Sequence, residues 1–301
     1  MSRSLFVSLP GRAWNGFDSG RPVLVLDPAD THFGLLGRVA LFENGRPVMW
    51  SFVGGINPLR VGSRIISATA RMAKQLPDSL FVVAPAFRPN STMVSLLATL
   101  EEIIEPDQVL IDPEIEWGYH AWKVEPIEPD LGPAASHSIQ AALRKAHWLK
   151  HRQRCERHVL PLSSLSFQHG RLGTGISLPV AEAIHAGLEG VDHVERLGQN
   201  LFIVSQNPVH DSTLARALDI THTQRAQITH PRAYENLLVA VADGNGQDLG
   251  CGTIEEIDFV QRTLTVWVDA VVPSPISIVR LGAFYVDESG KELGEPKPDE
   301  V

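Results

Sequence analysis

Apolar runs and helical patterns alternate along the first 115 residues. Continuous apolar runs predict buried strands, because a strand that is covered on both faces shows no polar alternation. These runs lie at 21–27, 79–87 and 107–113. Apolar positions at helical spacing predict helices over 61–76 and 91–104. Strands that alternate with helices indicate an α/β domain with a mostly parallel sheet.

Turn residues, and a change from helical patterns to short strands, predict the remaining elements and the domain boundaries. Residues 37–54 indicate two short strands around the turn ENGR at 43–46. One long helix is predicted over 136–158, and beyond 160 short strands and Gly-rich turns indicate a β-rich domain. We therefore expect an α/β domain at 1–158 that includes this basic helix, a β-rich domain at 159–288, and a disordered tail at 289–301.

Composition bounds the class of protein. Hydrophobic residues make up 44% of the 301 residues and charged residues 20%, as in ordinary globular proteins. No apolar run approaches the roughly 20 residues that a membrane helix needs. Pro10 and Gly11 interrupt the apolar patch near the N-terminus, so we expect no secretory signal. Two distant cysteines form no disulfide framework, which predicts a cytoplasmic protein without a membrane anchor.

Charge is distributed unevenly. The net charge of −9 excludes a protein that coats nucleic acid over its whole surface. Residues 101–130 carry ten Asp and Glu against one Lys, whereas residues 143–158 carry six Lys and Arg against one Glu. Either segment is also typical of a solvated face.

Four stretches, in this order, resemble the polynucleotide 5′-hydroxyl kinases, which include the kinase subunit of the pre-mRNA cleavage complex and the nucleolar rRNA-processing kinase. VLDPADTHFG (25–34) resembles the family's Asp-x-Asp-Pro-Gly-Gln followed by Phe-Gly. The stretch at 51–72 resembles its Phe-Val-Gly-x-x-x-Pro strand and helix, and the stretch at 80–111 resembles the elements around its Asn-Thr-x-Gly-Trp motif. Residues 238–258, with 279–286, resemble its C-terminal β-domain. The resemblance implies a P-loop-NTPase-like α/β fold followed by a small β-rich domain.

The departures from the family concern its chemistry. No G-x-x-x-x-G-K-[ST] loop occurs, and the position of its lysine falls at residues 1–3. Of the acidic strand end only Asp27 remains, since Val25 and Asp30 replace an Asp and a Gln. The residues APAFR at 84–88 stand where the family has its polar motif. We therefore expect the P-loop to be lacking, with Asp27 and Asp30 as the remnant of a metal and phosphate site.

These losses predict a pseudoenzyme with no catalytic residues, no bound metal and no cofactor, because phosphoryl transfer depends on the lost charge neutralisation. We expect a binding or scaffolding subunit for RNA or for a P-loop partner in RNA processing. A core that lacks its first strand would expose a sheet edge, which predicts a protein partner or a homo-oligomer. The alternative is an active, ATP- and magnesium-dependent kinase or ATPase whose Walker loop lies upstream of Met1.

The basic helix carries the candidate substrate contacts. Arg152, Arg154 and Arg157 lie where the family has an arginine-bearing lid, and guanidinium groups suit phosphate. A solvated face, or ion pairs with the acidic 101–130 stretch, is the alternative interpretation.

Other constellations remain open as sites. His147, His151, Cys155 and His158 fall within about 80° on a helical wheel, but one straight helix cannot bring four ligands around one ion. Trp117, Tyr119 and Trp122 suit base stacking or burial. Asp27, Asp30 and His32 would suit a new metal site. No G-x-S-x-G, H-E-x-x-H or C-x-x-C pattern supports a hydrolase or a zinc module.

Overall fold

A computed structural model describes residues 2–12, 20–32, 36–116, 122–123, 126–269 and 275–297. The chain forms two compact units, unit 1 at Met1–Lys150 and unit 2 at His151–Val301, which divide a little before the expected boundary at 158. Among the described residues, no helix has the length and apolar character that crossing a membrane requires.

Unit 1 is built on one mixed sheet with helices between its strands. Its strands are β1 (Arg3–Val7), β2 (Val23–Val25), β3 (Arg38–Glu43), β4 (Arg46–Phe52), β5 (Leu80–Val83), β6 (Gln108–Ile111) and β7 (Pro126–Ile127). Its helices are α1 (Pro58–Ala73), α2 (Ser91–Ile104) and α3 (His137–Arg152), and the last of these ends just inside unit 2. The sheet order is β4-β3-β2-β5-β1-β6-β7.

The sheet is mostly parallel, as the alternating pattern predicted. β1 pairs in parallel with both β5 and β6, and β2 pairs in parallel with β5. β3 and β4 form the predicted antiparallel hairpin, and its turn places Asn44 and Gly45 at positive φ. The strands predicted at 21–27, 79–87 and 107–113 and the helices predicted at 61–76 and 91–104 are present, and α2 has the bounds that were predicted.

One expectation is wrong: the core does not lack its first strand. β1 occupies an interior position of the sheet, and four of its five residues are buried. The run SLFV is short and has no polar alternation, because side chains on both faces of the strand are buried. The predicted exposed sheet edge therefore does not arise from a missing strand.

The long basic helix is also shorter than predicted. α3 ends at Arg152, and residues 156–161 form β8 (Glu156–Pro161), which pairs antiparallel with β16 (Thr263–Val268). Arg157 and His158 thus lie on a strand rather than on the helix. Their alternating exposure on β8 replaces the helical face that the sequence predicted.

Unit 2 contains two sheets. The larger has the order β18-β17-β14-β15-β16-β8, with β9 paired to β17. Besides β8 and β16 it is made of β9 (Ser166–Gln168), β14 (Leu237–Ala242), β15 (Asp248–Asp258), β17 (Ile278–Val286) and β18 (Glu292–Gly294). This sheet confirms the predicted β-rich texture, but β18 lies in the tail that was expected to be disordered.

The smaller sheet was not predicted as a separate layer. It consists of β10 (Ile176–Ser177), β11 (His193–Leu197), β12 (Asn200–Val204) and β13 (Arg225–Thr229). The helices α4 (Val180–His185) and α5 (Asp211–Ile220) belong to the same stretch of chain. α5 connects β12 to β13, which run in parallel, as a crossover helix requires.

Close packing of β15 against β16 gives a test of the unit 2 fold. A Cβ added at Gly252 would lie 1.7 Å from the Trp267 carbonyl oxygen, which is backbone and cannot move aside. We expect Gly252→Ala to lower the free energy of unfolding by at least about 3 kcal/mol, measured by chemical denaturation. Gly190→Ala is the matched control, because no atom lies within 4 Å of its added Cβ. Equal stability of the two variants would contradict this packing.

Candidate functional site

The carboxyl ends of four parallel strands meet at one edge of the unit 1 sheet. In open α/β sheets, ligands bind at this edge. Ser8 follows β1, Asp27 follows β2, Ala84 follows β5 and Asp112 follows β6. This carboxyl edge is where a P-loop would hold phosphates, since that loop joins a strand to the helix that follows it.

The described start of the loop after β1, residues 8–12, is hydrogen-bonded to itself and to the segment before α3. The Arg12 amide donates to the Leu9 carbonyl oxygen at 3.3 Å, and the Gly11 carbonyl oxygen accepts from the Ala135 amide at 2.9 Å. Gly11 has a φ of 80°, and an added Cβ there would lie 2.3 Å from Gln140 Nε2. The segment just before and within α3 therefore fills the space in which a phosphate cradle would open.

The loop after β5 closes the same edge from the other side. The Ala84 amide donates to the Phe6 carbonyl oxygen at 2.9 Å, and the Phe87 amide donates to the Ser8 carbonyl oxygen at 2.8 Å. Phe87 itself is buried. Pairing between the β1 and β5 segments thus continues past the strand ends, and these amides are not available to a ligand.

Asp27 has both carboxylate oxygens in contact with backbone amides. Ala29 N–H donates to Oδ1 at 2.9 Å, and Ala86 N–H donates to Oδ2 at 3.3 Å. Burial raises the pKa of Asp27 to about 6, while these amides and Arg88 oppose the rise and Asp30 adds to it. The carboxylate ties the ends of β2 and β5 together, which is a structural use of this residue.

Asp30 and His32 complete the same turn. The Asp30 amide donates to the Asp27 carbonyl oxygen at 3.1 Å, and the His32 amide donates to Asp30 Oδ2 at 3.0 Å. The proposed metal set of Asp27, Asp30 and His32 is not among the clusters that could hold an ion in the described part of the chain. The Phe-Gly pair of this motif lies outside the described residues.

A second buried carboxylate stabilises the loop after β1. Asp112 is fully buried, and its oxygens accept from the Leu9 amide at 3.3 Å and the Glu114 amide at 3.0 Å. Arg12 forms ion pairs with both Asp112 and Glu114. The Arg12 guanidinium, in the loop after β1, is therefore already paired with two carboxylates.

α3 lies over this edge as a closed cover. Gln140 Nε2 donates to the Ala135 carbonyl oxygen at 2.8 Å near the Gly11 loop. Two turns further along, His147 Nε2 lies 3.0 Å from the Thr31 carbonyl oxygen in the turn after Asp27. The helix that the resemblance places as a lid thus lies beside Gly11 through Gln140 and contacts the turn after Asp27 through His147.

The predicted lid arginines lie in unit 2 and have partners there. The Arg152 guanidinium stacks 3.9 Å over the Trp267 ring, and Arg154 Nη2 lies 3.5 Å from His151 Nδ1. Arg157 donates to Glu255 from Nε at 3.0 Å and from Nη2 at 2.9 Å. None of these contacts is to the acidic 101–130 stretch, and the role of the three residues toward substrate stays a prediction.

The predicted histidine and cysteine face separates into different environments. His147 contacts the unit 1 turn, His158 lies on β8, and His151 and Cys155 are buried in unit 2. Trp122 is partly buried, while Trp117 and Tyr119 lie outside the described residues. Sequence reasoning missed Cys251 and Asp269 beside His151, because only the register of β15 and β16 brings them there.

An open cleft in unit 2 was also missed. Its volume is about 660 Å³, and its walls include the apolar side chains Leu162, Leu165, Phe167, Val180, Ile184 and Phe259. His193 and Glu195 also line it, with His193 Nε2 2.6 Å from Glu195 Oε1. Burial opposes ionisation of Glu195, but hydrogen bonds from His193 and the Gly173 and Gly175 amides outweigh it and lower the pKa.

The raised pKa of Asp27 predicts how stability depends on pH. Its folded value of about 6 exceeds the ordinary 3.8, so the folded state binds the proton more tightly than the unfolded chain. This contribution is present at low pH and is lost as the pH rises from about 4 through about 6. Asp27→Asn should remove that decline, because the amide does not titrate. Its single acceptor oxygen leaves one of the two backbone amides without a partner, so the slope of stability against pH, rather than its absolute value, carries the prediction.

Urea unfolding at several pH values measures this slope. Asp78→Asn makes the same charge change at an exposed position and should keep the wild-type profile. A profile of Asp27→Asn as steep as that of the wild type would show that Asp27 is not the group responsible.

Comparison with known proteins agrees with the motifs. No protein-family model matches the chain. A polyribonucleotide 5′-hydroxyl-kinase of Pyrococcus horikoshii is 25% identical over 291 residues, which cover 88% of this chain and 73% of the relative. Its counterpart in Pyrococcus furiosus is 22% identical over 295 residues, which cover 90% of this chain and 78% of the relative.

A solved structure shows the same fold. Clp1p, in a structure that describes its extended interface with Pcf11p, matches 94% of this chain and 75% of its own, with a TM-score of 0.51 and 12% identity. The fold is that of this P-loop kinase, with the mixed sheet of unit 1 and the β-rich unit 2. The predicted resemblance is confirmed: the chain is similar to two polyribonucleotide 5′-hydroxyl kinases over about nine-tenths of its length.

Proposed function

We propose that this chain is a non-catalytic relative of the polynucleotide 5′-hydroxyl kinases that acts by binding a protein partner. The observation that carries the proposal is the closed carboxyl edge of the unit 1 sheet. The loop after β1 has no phosphate-cradling sequence, and its groups are hydrogen-bonded to the segment before α3 and to the loop after β5.

The charges of this edge support the same conclusion. Phosphoryl transfer needs a lysine, a metal ion or arginines to neutralise the transferred group. The connection from β1 to β2, residues 8–22, contains no lysine. Arg21 donates to the carbonyl oxygens of Ser2 and Leu80, which lie at the amino-terminal ends of β1 and β5 and therefore away from this edge. Arg12 is paired with two carboxylates. A polyphosphate would meet the carboxylates of Asp27, Asp112 and Glu114, and of the two arginines beside them Arg12 is already paired, which leaves the exposed Arg88.

The position of β1 weighs against the active-kinase alternative. A Walker loop upstream of Met1 would have to follow a strand that ends at this edge. Both sides of β1 are already paired, with β5 and with β6, and β2 is paired with β3 and β5. A further strand has no interior position to enter, so an upstream loop would lie away from Asp27.

Two observations support a protein partner. The unit 2 cleft is apolar and open, and Val180 and Ile184 in its wall are 73% and 54% exposed. A connected apolar surface of this kind is typical of an interaction site. The structurally similar Clp1p is described together with Pcf11p, a protein partner. We infer that this chain also works within a complex in which the cleft receives an apolar segment of another protein.

RNA binding by the lid arginines receives less support. The curated relatives are named for polyribonucleotide substrates. In this chain, however, Arg157 is held by Glu255 and Arg152 is held over Trp267. Binding RNA through these groups would require those contacts to break.

We predict that the purified chain neither binds ATP nor phosphorylates 5′-hydroxyl ends. Each missing charge-assisted contact is worth on the order of 1.5–3 kcal/mol, so the loss of several removes measurable affinity. Calorimetry with ATP and magnesium should show no saturable heat, and labelled phosphate should not transfer to RNA or DNA.

The variant Asp27→Asn distinguishes a low kinase activity of this chain from the activity of a contaminating kinase. Micromolar ATP binding, or transfer that is present in the wild type and absent in Asp27→Asn, would overturn the proposal. Transfer that is equal in both proteins would indicate a co-purifying kinase.

A second prediction concerns the cleft. Ile184→Glu places a charge in its apolar wall and should abolish retention of the partner in affinity purification from the native cell. Val48→Glu is the matched control, because Val48 in unit 1 is also 54% exposed and should tolerate the charge without effect. Retention of the same proteins by both variants would show that the cleft is not the binding surface.

A further inference from the structure

Three potential metal ligands from distant parts of the sequence meet in unit 2. His151 lies near the end of α3, Cys251 lies on β15, and Asp269 directly follows β16. One donor atom from each lies within 4.8 Å of the others. In the described part of the chain, this is the one group of three or more such residues whose donors gather in this way.

The backbone fixes two of these residues against each other. The Cys251 amide donates to Asp269 Oδ1 at 2.8 Å, and the Asp269 amide donates to the Cys251 carbonyl oxygen at 3.2 Å. Because both contacts belong to the pairing of β15 with β16, the thiol and the carboxylate stay together whether or not an ion is present.

The imidazole is oriented by the same strand. His151 Nε2 lies 3.1 Å from the Cys251 carbonyl oxygen, which can only accept, so Nε2 is the donor of this contact. Nδ1 faces Asp269 Oδ2 at 3.4 Å, and a cation bound between them would take the place of any proton on Nδ1. Metal-binding histidines commonly donate their other ring N–H to a backbone carbonyl in this manner.

These separations suit a small thiophilic cation. Zinc bonds of about 2.0–2.1 Å to nitrogen, 2.0–2.2 Å to oxygen and 2.3 Å to sulfur, at tetrahedral angles, separate neighbouring donors by about 3.4–3.6 Å. The observed Nδ1 to Oδ2 distance of 3.4 Å matches this range. The thiol lies within 4.8 Å of the other donors and has to turn from its place beside Nε2 to reach the ion. A mixed set of nitrogen, oxygen and sulfur favours zinc over magnesium or calcium.

We propose that His151 Nδ1, Cys251 Sγ and an Asp269 carboxylate oxygen form a binding site for a zinc-class divalent cation. His151 and Cys251 are buried, while Asp269 retains partial exposure through which an ion can enter. The fourth position is left to water. Such an ion would tie the end of α3 to β15 and β16.

Cys155 is the matched control for the sulfur ligand. It is the other cysteine of the chain, it is also buried, and its Sγ lies 3.7 Å from His151 Nε2. Cys251 Sγ lies at the same 3.7 Å from Nε2, but Cys251 gathers with the Asp269 carboxylate and Cys155 does not. Cys155→Ser should therefore keep the metal, whereas Cys251→Ser should lose it.

Arg154 is the competing group. Its Nη2 lies 3.5 Å from His151 Nδ1, where the cation would bind, so it has to move toward solvent on binding. Arg154→Ala should tighten the site, since one positive charge beside the ion is removed. A site elsewhere in the protein would not respond to this change.

Titration of the chelator-treated full chain with cobalt tests the proposal. Wild type, Cys155→Ser and Arg154→Ala should show a thiolate-to-cobalt charge-transfer absorption that saturates at about one ion per chain and is displaced by zinc. Cys251→Ser should lack the absorption, and its zinc affinity should fall by about 100-fold or more. His147→Gln, in the same helix, should behave as wild type.

Asp269→Asn keeps the test decisive if Cys251→Ser does not fold. It can retain the contact of Oδ1 with the Cys251 amide, and circular dichroism should show a wild-type fold with cobalt and zinc affinities lowered by about 10-fold or more. The absence of thiolate absorption in wild type would overturn the proposal. So would absorption that survives in Cys251→Ser and disappears in Cys155→Ser.

Discussion

The pairing of β1 on both of its edges is the constraint on which the rest of unit 1 depends. β5 follows β1 past its last strand residue, through the bonds from Ala84 to Phe6 and from Phe87 to Ser8. β6 does the same on the other side, where the Asp112 amide donates to the Val7 carbonyl oxygen. A P-loop needs amides that point into open space beyond its strand. Here the exit of β1 is enclosed by its neighbours, and the chain has to turn at once.

This enclosure gives the acidic side chains at the edge a structural role of their own. An ionised carboxylate is costly to bury unless donors surround it. Asp27 and Asp112 each receive two backbone amides from the loops that close the edge. Losing either side chain would leave those amides without partners. An acidic residue at the end of a strand is thus useful to the fold whether or not phosphoryl transfer occurs.

The sequence supported the fold to the extent that its signals were local. Residues 91–104 carry a Ser/Thr start and a Pro shortly after the end, and α2 has those bounds. The missing cradle was also evident, because a P-loop is one contiguous motif. In contrast, β1 is a run of a few apolar residues that only neighbours distant in sequence stabilise. The end of α3 was misplaced for the same reason, since residues after 155 are helix-compatible until β16 pairs with them.

Asp269 differs from the two unit 1 carboxylates in what faces its second oxygen. Both carboxylate oxygens of Asp27 accept from backbone amides. Those of Asp112 do the same, and Asp112 Oδ2 also forms an ion pair with Arg12. Asp269 uses Oδ1 for the Cys251 amide, but Oδ2 faces the Nδ1 of an imidazole whose other nitrogen is already hydrogen-bonded. Amides and a guanidinium repel a cation, whereas an imidazole lone pair and a thiol bind one. A carboxylate that follows a strand is therefore held by backbone amides on both oxygens in unit 1, whereas in unit 2 one of its oxygens faces the proposed cation site.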